Sequence, residues 1–484
     1  MKIDAHARRP GRLVVRRAPG LLAALAAVAL VFPGAAAAHG IVGRADLPIP
    51  AWLFAWAAAV VIVISFVAMF RLRGRRLGAL PRRELLTVPR VLEWLCGALG
   101  VGLFAVVVYA GLRGEQNFTS NLAPTAVYVV FWVGIPIVSA FVGDLWRPFN
   151  PWRAMARAGT ALLRAAGVEP RPLLGDYRQR LGRYPAALTL VGFAWLELVY
   201  PSKDDPSLLA ILALGYGAVQ LVGMAAYGIE TWTSRADGFS VYFSFIASLA
   251  PLGWRGRRLS LRPPPLGARE LELLPGTAAV LFALIGSTSF DGFSNGDIWF
   301  AVGPDLQTFF THFGLGPIGA YECAGTIGLA FWIGLVAGLY RLGIAGMARA
   351  TGRPIAELSG QFIHTLVPIA FGYMLAHYFS LLVLQGQAVG YLISDPLGHG
   401  SNLFGTAEWL VNYNLISFAA IWYVQILAIV GGHVGGIVLS HERGLDTFSS
   451  ARQSIRAQEW MLFVMVAFTC LALWILSAVT TATG

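Results

Sequence analysis

Residues 362–387, FIHTLVPIAFGYMLAHYFSLLVLQGQ, form an apolar stretch that is long enough to cross a lipid bilayer as a helix. Ionisable side chains are costly inside a membrane and usually have a function there, yet this stretch contains His364 and His377. A second apolar stretch at 422–442, WYVQILAIVGGHVGGIVLSHE, contains His433 in its interior and His441 near its end. The two stretches predict neighbouring membrane-spanning helices that carry histidines.

The composition of the whole chain is that of an integral membrane protein. Of its 484 residues 57% are hydrophobic and only 13% are charged, which excludes an ordinary soluble domain. The net charge of +11 comes almost entirely from arginine, because Lys2 and Lys203 are the only lysines. The arginines are gathered in loops between apolar runs, which favours a lipid bilayer as partner and argues against nucleic acid.

The N-terminal segment 1–38 has the three parts of a secretory signal peptide. A basic start is followed by the apolar LLAALAAVALVF and by the small-residue segment GAAAAHG. Cleavage after Ala38 would make His39 the first residue, and its amine and imidazole together would suit copper or zinc. Alternatively, the segment stays as an uncleaved anchor and His39 is an ordinary loop residue. The remainder, 39–484, is predicted to be a single polytopic membrane domain.

The apolar pattern after the signal peptide predicts an all-α, polytopic bundle of transmembrane helices with about ten spans. The predicted spans are 49–70, 91–110, 124–146, 184–201, 206–229, 274–290, 320–340, 362–385, 413–440 and 459–481. The segment 239–251 is too short to cross and is predicted to be re-entrant or interfacial. In 151–167 arginines recur at helical spacing, which predicts a helix lying on the membrane surface.

Five arginine-rich loops fix the predicted orientation by the positive-inside rule. They are 71–90, 147–183, 254–270, 340–354 and 441–458. If ten spans alternate and 239–251 does not cross, all five loops fall on one side. We therefore expect a multi-pass protein of the bacterial inner (cytoplasmic) membrane, with these loops in the cytoplasm and with the mature N-terminus and the C-terminus outside.

Carboxylates and imidazoles collect in the segments predicted to face outward. Residues 287–313, STSFDGFSNGDIWFAVGPDLQTFFTHF, read as a loop that supplies Asp291 and His312, and His39 is expected on the same side. Oxygen and nitrogen ligands of this kind suit a divalent metal that activates water. The alternative is that these residues are solvated turn residues or helix caps.

The histidines inside the predicted spans lie at different depths. On one continuous helix His364 and His377 are about 20 Å apart, so they cannot share a metal ion. His364 and His433 both lie near the inner margin and could face each other, whereas His377 could line a cavity open to the outer loops. The alternative is that each histidine makes an interhelical hydrogen bond that fixes packing. Glu197 is either a relay or cavity residue or a span-end residue that snorkels to the surface.

The chain also resembles a known family. The resemblance is carried by 38–68, GDLWRPFNPWRA at 143–154, STSFDGFSNGDIW at 287–299, residues 364–387 and GGHVGGIVLSHERGL at 431–445. These segments are similar to those of bacterial multi-span membrane proteins named fenitrothion hydrolase or its subunits. The resemblance implies hydrolysis of organophosphorus esters, with a metal-bound hydroxide that attacks phosphorus. The HxH and HExxH patterns of soluble metallohydrolases are absent from the sequence.

Three functional hypotheses follow from these observations. The first is a metal-dependent phosphotriester hydrolase with His377 and Asp291 as catalytic residues, acting on a small-molecule substrate at an outward-facing site. Its candidate ligands for zinc or copper are His39, His312, His377, His364 and His433. The second is a metal-handling or small-solute permease in which His364, His377 and His433 mark successive depths of a path. The third is a structural subunit that binds a partner subunit in a membrane complex.

Overall fold

The computed structural model describes residues 82–448 and 451–478, together with Trp56 and residues 60–64. The predicted signal peptide, His39 and most of the predicted span 49–70 lie outside the described residues. The predictions for the cleavage site and for a chelating N-terminus therefore stay predictions.

Helices account for most of the described chain. In order they are α1 (Arg90–Arg113), α2 (Leu122–Val142), α3 (Pro151–Ala165), α4 (Tyr184–Leu198), α5 (Pro206–Tyr227), α6 (Gly238–Ala247), α7 (Thr277–Ser294), α8 (Asp297–His312), α9 (Pro317–Thr351), α10 (Ile355–Leu392), α11 (Phe418–Thr447) and α12 (Ala451–Ala478). Short helical turns cover Trp146–Phe149, Ile229–Arg235 and Leu266–Glu270. Helix α2 is π-helical over Thr125–Gly134, and α10 includes 3₁₀ turns at Ile363–Thr365 and Gln385–Gln387.

Eight of the described helices are long and apolar enough to cross a membrane, namely α1, α2, α5, α7, α9, α10, α11 and the Arg456–Leu473 part of α12. The prediction of a helical, multi-pass membrane protein is confirmed in this coarse form. Helix α4 corresponds to the predicted span 184–201, but it has only 15 residues. The total of ten spans stays a prediction.

Local sequence sets where several helices begin. Asp205 and Ser417 precede α5 and α11, and their side chains accept hydrogen bonds from backbone N–H groups of the first turn. Helices α3, α5 and α9 carry proline in the first turn, where its missing N–H costs nothing.

Helices α10 and α11 form a close antiparallel pair, as the sequence predicts. The backbone of Gly372 packs against Ala428 and Gly432, and Gly432 also packs against the carbonyl oxygen of Pro368. Further along, Gly436 lies against the carbonyl oxygen of Thr365. Glycine at these contacts lets the two backbones approach each other, because no Cβ atom intervenes.

Two of the predicted cytoplasmic loops are joined by a small sheet, which differs from the all-α prediction. Strand β1 (Arg83–Thr87) pairs antiparallel with β3 (Arg258–Leu261), which pairs antiparallel with β2 (Leu252–Arg255). The sheet therefore connects the predicted loops 71–90 and 254–270 at one end of the bundle. We call this the arginine-rich end.

Other predicted loops meet at the same end. Arg269 forms ion pairs with Glu442 and Asp446 and so connects 254–270 with 441–458. Arg353 donates to the carbonyl oxygen of Thr447 at 2.6 Å, which brings in 340–354. Four of the five loops predicted to share one side of the membrane are thus connected to one another. That this side is the cytoplasm stays a prediction.

The opposite end of the bundle is closed by contacts between different segments. The backbone N–H of Glu115 donates to the carbonyl oxygen of Leu397 at 2.8 Å, and that of Ser207 donates to Oε1 of Gln116 at 3.1 Å. The start of α5 and the segments before α2 and after α10 therefore share this end.

The two segments predicted to lie at or within the membrane surface are both helical. Helix α3 buries Trp152 at its start and exposes Leu162 and Leu163 near its end. Helix α6 is buried on nearly all sides, with Phe243 and Phe245 inaccessible to solvent. Their placement relative to the membrane stays a prediction.

Candidate functional site

Asp291 and His377 make a direct contact inside the helix bundle. Asp291 lies in the last turn of α7, and His377 lies in the second half of α10. Nε2 of His377 is 2.8 Å from Oδ2 of Asp291, and the two side chains are only 22% and 17% exposed. The structure thus brings together the two residues that the sequence analysis proposed as catalytic. Asp291 belongs to a helix, because most of the predicted loop 287–313 is helical as α7 and α8.

Tyr378 completes the contact from the same helix as His377. Its hydroxyl donates to Oδ2 of Asp291 at 2.9 Å. An oxygen that accepts two hydrogen bonds is best described as part of an ionised carboxylate, so we assign the proton of the His377 contact to Nε2. Nδ1 is then the ring nitrogen without a proton, and it can accept a hydrogen bond. The pair therefore offers a hydrogen-bond acceptor beside an ionised carboxylate.

A second carboxylate lies within electrostatic range of this pair. Glu197, in the last turn of α4, is near enough to Asp291 for the two carboxylates to repel each other, while Lys203 attracts both. Within the described residues no hydrogen bond reaches the Glu197 carboxylate. Of the two predictions for Glu197, this position favours a relay or cavity residue. We call Glu197, Lys203, Asp291, His377 and Tyr378 the acidic cluster.

Aromatic side chains from other helices surround the cluster. The ring of Trp132 packs against Tyr242 and Phe193, with ring centroids 5.0 and 4.7 Å apart. Tyr128 donates to the carbonyl oxygen of Lys203 at 2.8 Å, and Tyr128 and Tyr242 both lie within electrostatic range of Glu197. Aromatic neighbours lower the local dielectric constant, which strengthens the interactions between the charges. These residues could not be predicted as neighbours of the cluster, because they come from distant parts of the chain.

The other two histidines in the spans are buried further towards the arginine-rich end. Nδ1 of His433 donates to the carbonyl oxygen of Ile429 one turn earlier, at 2.8 Å, whereas its Nε2 has no partner among the described residues. Neither nitrogen of His364 makes a hydrogen bond within the described chain, although the backbone of Gln361 lies nearby. Both side chains are almost completely buried.

The pairing of α10 with α11 fixes the relative heights of these histidines. Because Gly432 lies beside Pro368 and Gly436 beside Thr365, His433 is level with residues 367–368 and His364 with residues 436–437. The two histidines are therefore offset by about one helical turn, or ~5 Å. His377 lies about 14 Å beyond His433, towards the opposite end. Three depths result, as the permease hypothesis expects.

The charged sequence HER at 441–443 predicts that the end of α11 is exposed to solvent. The structure shows a different arrangement. Glu442 is 1% exposed, and Arg269 donates to its Oε2 at 3.0 Å. His441 is buried as well. These residues are covered because the segment that contains Arg269 folds back over the end of α11.

The described residues do not fit the predicted metal centre. His312 is exposed at the end of α8, where its Nδ1 lies 2.7 Å from the carbonyl oxygen of Thr308. His364 and His433 belong to the other half of α10 and α11, away from His377. Across the described ranges no group of three histidine, cysteine, aspartate or glutamate side chains could hold a metal ion.

Comparison of the chain with protein-family models, with curated proteins and with solved structures found no match.

Proposed function

We propose that this protein is a proton-coupled small-solute permease. The observation that carries the proposal is the acidic cluster, in which Asp291 and His377 make a direct contact between two helices inside an apolar bundle and Glu197 of a third helix lies within electrostatic range. Ionisable groups in membrane-spanning segments are costly, and they commonly line ion or proton pathways. A pure packing role would be served by one neutral hydrogen bond.

The chemistry of the cluster suits reversible protonation. Two carboxylates within electrostatic range repel each other when both are ionised, so the uptake of one proton by the cluster would relieve this repulsion. His377 adds a basic nitrogen, and Tyr378 holds the carboxylate of Asp291 in place. A solute or a proton that enters from the end nearest His377 would meet these groups first.

The buried histidines extend the path towards the arginine-rich end. His433 and His364 follow His377 at increasing depth and have ring nitrogens without hydrogen-bond partners in the described chain. A buried polar atom without a partner costs about 1–3 kcal/mol. This energetic cost would be explained if the ring nitrogens exchange protons or contact a passing solute.

A second candidate is hydrolysis, as the family resemblance implies. The Asp291–His377 contact is also the geometry of a general base oriented by a carboxylate. In this alternative His377 would take a proton from water that attacks the ester. The described residues support this role without a metal ligand set.

One set of proteoliposomes tests both candidates. The purified full chain is reconstituted with a pH-sensitive dye inside, a pH gradient is imposed, and dye response is recorded with and without panels of small solutes. The same vesicles are tested with a nitrophenyl dialkyl phosphate, whose cleavage releases coloured nitrophenolate. The variants are His377→Ala and Asp291→Asn, with His312→Ala as the matched control on an exposed helix end.

Proton movement that a solute stimulates, and that is lost in both cluster variants but kept in His312→Ala, supports the permease. Ester cleavage with the same dependence on His377 and Asp291 supports the hydrolase instead. If the wild-type protein neither moves protons nor cleaves the ester, both proposals are wrong and a structural subunit remains.

A further inference from the structure

Residues 161–181, ALLRAAGVEPRPLLGDYRQRL, comprise the end of α3 and the segment that follows it. Almost all of its residues are exposed, including the apolar Leu162, Leu163, Leu173 and Leu174. Leu173 is 80% exposed. Exposed leucines grouped in this way indicate an interaction surface rather than scattered surface residues.

The segment is held firmly at the end of a candidate membrane span. The backbone N–H groups of Leu173 and Leu174 donate to the carbonyl oxygens of Ala225 and Ala226, at 3.1 and 2.9 Å. These carbonyl groups belong to the last turn of α5. Backbone carbonyl groups at the end of a helix have no donor within the helix, so they are free to accept from another segment. One turn earlier on the same side of α5 lies Val222, which is also exposed. The leucines therefore continue the apolar outer surface of a span beyond its end.

The charged residues of the segment are mainly basic. The segment contains only two acidic residues, Glu169 and Asp176, but four arginines: Arg164, Arg171, Arg178 and Arg180. All four arginines are exposed. The one ion pair that involves them in the described chain, Arg164 with Glu169, has a length of 3.9 Å between highly exposed side chains. Such a pair contributes little, so it leaves the positive charge largely available.

We propose that residues 161–181 bind the anionic lipid surface at the arginine-rich end. The leucines enter the boundary between headgroups and acyl chains, and the arginines contact the phosphate groups. Two observations select lipid as the occupant: the surface continues that of an apolar span, and its charge is opposite to that of anionic headgroups. The proposal is independent of the transport function, because none of these residues belongs to the acidic cluster.

Fluorescence in reconstituted vesicles tests this placement. Leu173→Cys is introduced into the full chain with Cys96, Cys323 and Cys470 replaced by serine, and is labelled with an environment-sensitive dye. Vesicles contain phosphatidylcholine alone or mixed with phosphatidylglycerol, each with a lipid-borne quencher. We expect blue-shifted emission and quenching that is stronger in the anionic vesicles. Leu410→Cys is the matched control, because Leu410 is 89% exposed and 400–415 contains no lysine or arginine.

A second measurement uses the chain with its native cysteines. Arg164→Gln combined with Arg171→Gln should reduce the phosphatidylglycerol retained by the purified protein, measured by mass spectrometry. A basic residue near an anionic surface changes local lipid occupancy about fivefold, so the two substitutions together should lower the occupancy at this segment by about 25-fold. Emission at position 173 that is water-like, or equal in both vesicle types, would overturn the proposal. So would a label that is shielded from water but not quenched by lipid, which would indicate a protein occupant such as a second copy.

Discussion

His377 donates a hydrogen bond to Asp291 across the contact between α10 and α7, although the two residues are 86 positions apart in the chain. Tyr378 donates to the same carboxylate oxygen, so one buried acceptor is held by two donors on adjacent residues. The contact therefore links the stability of the bundle to the chemistry that we propose for it.

Replacing His377 by alanine should destabilise the protein by about 1–3 kcal/mol, because the partly buried Asp291 loses one of its two donors. Thermal unfolding in detergent, followed by tryptophan fluorescence, measures this change. His312→Ala removes an exposed imidazole and should change stability by less than about 0.5 kcal/mol. Equal effects of the two substitutions would contradict the assigned contact.

Tyr378→Phe removes only the second donor and should cost about 1 kcal/mol. Because Tyr378 and His377 share Oδ2 of Asp291, the double variant should depart from the sum of the single effects. The matched control is Tyr321→Phe, since Tyr321 is exposed and its hydroxyl makes no hydrogen bond within the described residues. Strict additivity in a double-mutant cycle would argue against a shared acceptor.

Arg269→Ala should be strongly destabilising, by about 3 kcal/mol, because it removes the arginine partner of the buried Glu442. Glu442→Gln in the same chain should recover part of the loss, since it removes the buried charge. Arg258→Ala is the control, because the Arg258–Glu84 pair is exposed and should contribute less than about 1 kcal/mol. Thermal unfolding is measured for the wild type, the two single arginine variants and the double variant. Similar losses of stability in Arg269→Ala and Arg258→Ala would show that the burial of Glu442 does not matter.

Gly432→Ala should destabilise the bundle by about 1–3 kcal/mol, because a Cβ atom at this position would lie 2.6 Å from the carbonyl oxygen of Pro368. Its neighbour Gly431 provides the control, because a Cβ atom there meets no atom within 4 Å. Gly431→Ala should be neutral or slightly stabilising, since alanine favours helix. The result to measure is the difference in melting temperature between these adjacent variants; its absence would contradict the close α10–α11 contact.

Asp205→Ala should cost about 1 kcal/mol at neutral pH, because Asp205 caps α5 by accepting from the N–H groups of Leu208 and Ser207. These hydrogen bonds hold the pKa of Asp205 below its ordinary value of 3.8. A lowered folded-state pKa means that the stabilisation is complete above the unfolded value and is lost as pH falls through the folded value. The difference between wild type and Asp205→Ala should therefore shrink as unfolding is measured at increasingly acidic pH. Asp205→Asn keeps a capping side chain and should retain most of the stability at neutral pH.

Several parts of this arrangement could be predicted from local sequence. The length of the apolar runs indicates membrane-spanning helices, and the glycines around His433 indicate a close helix pair. The arginine-rich loops were expected on one side, and in the structure Arg269 and Arg353 tie three of those segments together. The polar segment 287–313 was mistaken for a loop, because its glycines and aspartates outweighed an apolar pattern that continues as α8.

The sequence by itself determined that this chain forms apolar helices long enough to span a membrane, because hydrophobic length is a property of each segment alone. It also identified His377 and Asp291 as candidates, because an ionisable residue in or beside an apolar run is visible without a partner. Only the tertiary structure decided that Asp291 and His377 meet, that Glu442 is buried beneath Arg269, and that His364 and His433 are offset by a turn. These relationships depend on how far each helix is rotated and shifted against its neighbours. Close contacts such as that of Gly432 with Pro368 fix those rotations, and they join residues that are distant in the chain.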